Sequence, residues 1–121
     1  MRILLDENIP VQLKAVLGGH EVRSVNDRGV GWKNIRNGLL LTEMEGRFEL
    51  LVTADRNMYA QQNLSGRGIC ILALPTNRRR DVLGLGEQIV AVVGSMSIGE
   101  YVVLETTGVV VRRPFEQQAR P

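Results

Sequence analysis

Two segments of the chain lead apolar residues straight into a carboxylate: Ile3-Leu4-Leu5-Asp6-Glu7-Asn8 and Leu50-Leu51-Val52-Thr53-Ala54-Asp55-Arg56-Asn57. A buried strand ending in an acid puts that acid at the carboxyl edge of a parallel sheet, where α/β proteins hold metals and phosphates. If the two strands are parallel and adjacent, Asp6 and Asp55 converge on one crevice. A hard divalent cation such as Mg2+ or Mn2+ needs oxygen ligands, commonly one or two carboxylates completed by water and substrate phosphate. Asp6 and Asp55 supply the carboxylates. Asn8, Asn37, Asn57 and Asn77 supply amides that can hold water or phosphate oxygen around them, with Glu7 as an additional acid. Glu43 and Glu45 cannot serve equally, because helical spacing sets them about 200° apart on the wheel. The plainer alternative is that each aspartate only caps the helix after it. The repeat of the same design after two buried strands favours a shared site.

The elements that must position these residues follow from periodicity. Residues 2–5 read as a buried strand, and Pro10 suits the first turn of a helix to about Leu17, stopped by Gly18-Gly19. Residues 20–25 alternate apolar with polar, as a less buried strand does. A loop over 26–33 precedes a helix beginning at about Asn34 or Asn37 and ending at Gly46. A third strand covers 50–54, a short helix 55–64, and a fourth strand 69–74. A helix from about Asp81 to Val93 follows, with Asp81 as its N-cap and Gly84 and Gly86 weakening its first turns. Two strands, 100–105 and 109–112, read as a hairpin that extends or flanks the sheet. The alternation of strand and helix predicts an α/β three-layer sandwich, a mostly parallel central sheet covered on both faces, with a C-terminal β-hairpin. Residues 1–113 are expected to form one domain, and 114–121 a polar, frayed tail.

Composition narrows the function. Thirteen of the fifteen basic residues are arginine, the side chain whose planar fork suits phosphate. Arg78, Arg79 and Arg80 are consecutive, and with Arg56 they are candidates for nucleic-acid contacts, although such a run is more often a solvated turn. The single cysteine, Cys70, lies in an apolar run and reads as a small buried hydrophobe, so no internal disulfide forms. His20 reads as a turn residue and builds no Ser/His/Asp or Cys/His pairing. Trp32 reads as packed against the next helix rather than stacked on a base. Neither the dinucleotide-binding glycine fingerprint nor the P-loop is present. No signal peptide or membrane-length apolar run is evident, which points to a cytoplasmic protein without membrane contact.

Several of these segments resemble the PIN-like domain family, in its Mut7-C-like branch of small bacterial proteins associated with toxin–antitoxin loci. The resemblance rests on residues 3–10, the Gly19-His20-Glu21-Val22 stretch, Gly31-Trp32, Asn37-Gly38-Leu39-Leu40, the Leu51-to-Asn57 stretch with its Thr-x-Asp motif, and Gln61-Gln62-Asn63. It implies a Mg2+- or Mn2+-dependent nuclease that cleaves single-stranded RNA by metal-activated water. Asp6 then matches the acid after the first strand and Asp55 the acid of the Thr-x-Asp motif, both as metal ligands. Asn37 and Asn77 stand where the family has acids, so the resemblance also admits a weak or inactive relative that binds RNA or protein. Asn57 orients water or substrate in this reading, and Asn8 and Glu7 support the site. The expected partners are single-stranded RNA, a cognate antitoxin protein and a second copy of the chain. A phospho-accepting receiver domain shares the strand-end acids, but its lysine after the last parallel strand is missing from residues 75–80, which hold only arginine.

Overall fold

The computed structural model describes residues 1–118. Six strands form one sheet in the order β2-β1-β3-β4-β5-β6. They are β1 (Arg2–Leu5), β2 (Glu21–Ser24), β3 (Leu50–Thr53), β4 (Cys70–Ala73), β5 (Glu100–Leu104) and β6 (Val110–Pro114). The first five run parallel, and β6 returns antiparallel to β5. Between them lie α1 (Leu13–Val16), α2 (Asn37–Met44), α3 (Met58–Gln61), α4 (Arg79–Gly84) and α5 (Gly86–Ser95).

Both faces of the central strands are buried, which explains their continuous hydrophobicity. Side chains alternate across the sheet with the strand period of two. Ile3, Leu5, Leu50, Val52, Leu72, Val102 and Leu104 pack with Leu13, Leu17, Val82, Ile89 and Val93 from α1, α4 and α5. Leu4, Leu51, Ile71, Ala73 and Tyr101 pack with Leu40, Leu41, Met44 and Met58 from α2 and α3. The sheet is therefore the middle of three layers, as expected.

Four local expectations change. The stretch from Pro10 to Leu17 forms only one helical turn, Leu13–Val16, after a series of turns. The helix expected over 81–93 is two helices that meet at Leu85, because Gly84 and Gly86 flank the break and tolerate it. Arg78, in extended conformation, precedes α4, so Asp81 sits inside the first turn and is not the N-cap. The C-terminal hairpin extends the sheet, one of the two placements expected for it: β5 pairs in parallel with β4, with Leu72 opposite Val102. Its turn depends on Gly108, whose φ of 88° suits a residue without Cβ. Residues 114–118 are not frayed. Phe115 is buried in the core, and the Gln118 side chain accepts from the Leu64 N–H and donates to the Tyr59 and Gln62 carbonyls. The remaining residues of that expected tail, 119–121, lie outside the described residues.

The direction of sheet growth reverses between β1 and β3, which are neighbours although β2 separates them in sequence. In open α/β sheets the crevice at such a switch point is where ligands bind. Ile3 is opposite Leu50 and Leu5 opposite Val52, and the Asp6 N–H donates to the Val52 carbonyl at 2.9 Å. Asp6 thus leaves β1 beside Thr53, the last residue of β3. Among the described residues no helix is long and apolar enough to cross a membrane.

Candidate active site

The centre of the crevice is a threonine. Thr53 is fully buried, and a buried hydroxyl is costly unless it is hydrogen-bonded. It donates to Asp6 Oδ2 at 2.7 Å and accepts the Asp55 N–H at 3.0 Å. One hydroxyl therefore links the ends of two strands. Asp6 Oδ1 accepts the Glu7 N–H at 2.8 Å. Asp55 Oδ1 accepts the Asn57 N–H at 2.9 Å, forming the turn that leads into α3, and Asp55 Oδ2 accepts from Asn37 Nδ2 at 2.8 Å. Asn37 opens α2, so this bond fastens a helix on one face to the sheet edge.

Asp6, Asn8, Thr53, Asp55 and Asn77 line one pocket of about 280 Å³. Both aspartates are half-buried, with enough solvent access to exchange water or ligand. Beside this pocket runs an open groove lined by Glu7, Arg36, Asn37 and Gln62. Asp55 does not cap α3, whose N-cap is Asn57: one of its oxygens shapes the turn before the helix, and the residue lines the pocket.

A divalent cation can be tested against this donor set. Every oxygen of Asp6 and Asp55 already accepts one protein hydrogen bond, leaving each a second lone pair. Among the described residues no group of three or more histidine, cysteine, aspartate or glutamate side chains is placed to hold a metal. Two carboxylates with amide oxygens from Asn8 and Asn77 fit a hard ion that keeps several waters, as Mg2+ and Mn2+ do. They do not build the closed nitrogen and sulfur cage that structural zinc takes. Asn37 presents its amide N–H to Asp55, so here it positions that carboxylate.

The other candidate residues divide. Asn57 contributes its backbone to the site while its side chain lies on the exposed surface. Arg56 turns from the pocket to Glu105, at 2.6 Å in an ion pair. Arg78, Arg79 and Arg80 are exposed at the start of α4, immediately after the pocket residue Asn77, and the Arg78 N–H donates to Thr76 Oγ1. His20 is half-buried against the N-terminal amine, 3.3 Å from its Nδ1. Trp32 meets Phe48 edge-on and carries Arg47 over its ring. Cys70 is buried, and burial pushes its thiol up to about 12.

Thr53 is the site residue that a search for acids and amides passes over. Its signal is a hydroxyl at the end of an otherwise apolar strand, two residues before an aspartate. A second group that sequence does not reveal comprises Tyr59, Tyr101 and Arg113, brought together by α3 and the β5–β6 hairpin. The Tyr59 and Tyr101 rings lie 5.0 Å apart, and the Arg113 guanidinium sits over Tyr59 at 5.4 Å. Burial pushes the Tyr101 phenol up, the Asp55 charge adds to this, and the Tyr59 backbone, Arg56 and Arg113 oppose it. Compared with models of known protein families, with curated proteins and with solved structures, the chain matches none.

Proposed function

We propose that the chain is a PIN-like, metal-dependent endoribonuclease acting on single-stranded RNA in the cytoplasm, as the toxin of a toxin–antitoxin pair. One observation carries the reading: two strand-end carboxylates share a pocket at the switch point of a parallel sheet, tied together by the Thr53 hydroxyl. Asp6 and Asp55 would hold Mg2+ or Mn2+. When bound, such an ion supplies an activated water and neutralises charge at the scissile phosphate.

The chain's own groups do the positioning. Thr53 ties the Asp6 carboxylate to the Asp55 backbone, and Asn37 and the Asn57 N–H orient the Asp55 carboxylate. Asn8 and Asn77 border the space where a phosphate would sit. The exposed Arg78, Arg79 and Arg80 lie just beyond Asn77 and offer positive charge to the RNA backbone. A phospho-accepting receiver is the poorer account, since the residue after the last parallel strand, β5, is Glu105 and not a lysine.

A second reading, a PIN-like module that binds RNA or protein without cleaving, is favoured by the pairing of all four carboxylate oxygens within the protein. Cleavage of a labelled single-stranded RNA in Mg2+ and in Mn2+ separates the two. The nuclease reading expects cleavage stronger in Mn2+, lost in Asp6→Asn and Asp55→Asn, and raised in Asn37→Asp, where a charge joins the site. If wild type and Asn37→Asp both leave RNA intact at millimolar Mn2+, the nuclease reading fails and the binding module replaces it.

A further inference from the structure

Tyr101 is 1% exposed, and its buried hydroxyl donates to no partner among the described residues, the Tyr59 backbone lying against its oxygen. A buried donor left unpaired is costly, and in a native protein it points to a water, ion or ligand that completes it. Tyr101 lines a pocket of about 200 Å³ between α3 and the β5–β6 hairpin, shared with Arg56, Tyr59, Glu105, Val111 and Arg113. That volume is below the roughly 300–1,000 Å³ of drug-sized sites, and it suits one planar ring. The walls suit a ring too. Tyr59 and the guanidinium of Arg113 over it make an aromatic and cationic stack, and Val111 adds an apolar side. Two polar groups complement it: Glu105 only accepts hydrogen bonds, and the Tyr101 hydroxyl can donate one. The ion pair that Glu105 makes with Arg56 is exposed on both sides and costs little to open.

The pocket adjoins the carboxylate site. Arg56 follows Asp55 directly, and the charge of Asp55 is felt at the Tyr101 phenol. The two pockets are thus linked through the Asp55–Arg56 step of the chain.

We propose that this pocket is a nucleobase subsite, holding one unpaired base of single-stranded RNA against the Tyr59–Arg113 stack while the Tyr101 hydroxyl and the Glu105 carboxylate read its edge. The choice of RNA rests on the reading of the carboxylate site given above. Every base presents a donor beside an acceptor on its open edge, an amino group with a ring nitrogen in adenine and cytosine and a ring N–H with a carbonyl in guanine and uracil, so the pair of Glu105 and Tyr101 accepts any unpaired base.

Binding measured without metal tests the subsite apart from cleavage. The anisotropy of fluorescent single-stranded oligo(A), oligo(C) and oligo(U) is followed in EDTA, with urea unfolding on the same samples. Tyr101→Phe removes one oxygen. It is expected to leave stability equal or higher, since an unpaired buried hydroxyl is lost, and to weaken binding of all three about five-fold. Tyr59→Leu and Arg113→Gln are expected to weaken binding about ten-fold or more. Unchanged binding in Tyr101→Phe and Arg113→Gln overturns the subsite and assigns the hydroxyl to an ordered water only, whatever the cleavage assay shows. Loss of binding in these variants with no cleavage in Mn2+ supports the subsite and rejects the nuclease. Failure of the wild type to bind any of the three oligonucleotides overturns the subsite and leaves the nuclease to the cleavage assay.

Discussion

Replacing Thr53 with valine keeps the shape of a buried side chain and deletes the one oxygen joining Asp6 to Asp55. The hydrogen bond to the Asp6 carboxylate is charge-assisted, worth about 1.5–3 kcal/mol, and the orphaned Asp55 N–H adds a penalty of about 1–3 kcal/mol. The extra methyl of valine returns less than about 1 kcal/mol of burial. A net loss of about 2–4 kcal/mol follows. With a urea m-value of about 1–3 kcal/mol/M, the unfolding midpoint should fall by at least about 0.7 M. Thr53→Ser retains the hydroxyl and should lose markedly less. A double-mutant cycle of Thr53→Val with Asp6→Asn should return a coupling of about 1–2 kcal/mol, because the two side chains share one bond. If Asp6 and Asp55 hold a cation, saturating Mn2+ should raise the wild-type midpoint, by about 2.7 kcal/mol at a hundred times the Kd, and raise that of Thr53→Val less. A valine variant within about 0.5 kcal/mol of wild type, with the same response to Mn2+, would refute the idea that this hydroxyl sets the site.

Removing residues 115–121, or changing Phe115 to alanine, should cost about 3–5 kcal/mol in urea unfolding, because Phe115 fills core on the α2–α3 face; a truncation without effect would restore the frayed-tail reading. The hydrogen bond from Lys14 holds Asp27 below its ordinary value of 3.8. A depressed carboxylate stabilises the fold above that ordinary value and loses the contribution as pH falls through its folded pKa. Lys14→Met should therefore flatten the loss of stability below pH 3.8, and an unchanged acid limb in unfolding scans would disprove the link. For Cys70 the sign is reversed. Its thiol is pushed from 9.0 to about 12 by burial, so its contribution is present below pH 9.0 and is lost as pH rises toward 12. A thiol reagent at neutral pH should label Cys70 only with unfolding, and rapid labelling of native protein would contradict its burial.

The parallel core and its strand-end acids were legible because burial on both faces leaves its mark residue by residue. Leu50, Leu51 and Val52 cannot be read as anything but a covered strand, and an aspartate after such a strand lies at the sheet edge. What escaped detection depends on pairing over long range. Glu100 to Leu104 carries the same apolar signature whether it joins β4 or merely turns back in a hairpin, so the choice between extending and flanking the sheet stayed open until β4 was seen beside it. Phe115 sits among polar residues, and its burial follows from β6 delivering it to the α2–α3 face. Arg56, with phosphate as its expected partner, found Glu105, 49 residues away. The contact between Asn37 and Asp55 required α2 to begin at Asn37, one of two starts that the pattern allowed. Thr53, in view as the threonine of the Thr-x-Asp motif, was given no role because that role is to receive and donate bonds within the protein, chemistry that no charge pattern advertises.

The strand order also governs how the molecule is built. Every pairing within the parallel part of the sheet joins segments separated by at least one crossover, and Thr53 reaches Asp6 across 47 residues. Such contacts incur loop-closure entropy before they return any stabilisation, which slows folding. β5 and β6, joined by the turn at Gly108, can instead zip from neighbouring sequence. The hairpin that carries Tyr101 and Arg113 thus has a local route to order, whereas Asp6, made first on the ribosome, waits for Thr53 and for the full crossover between them. A nascent chain holds its acids apart until the sheet closes, so whatever the pocket does, it cannot begin on a half-made protein.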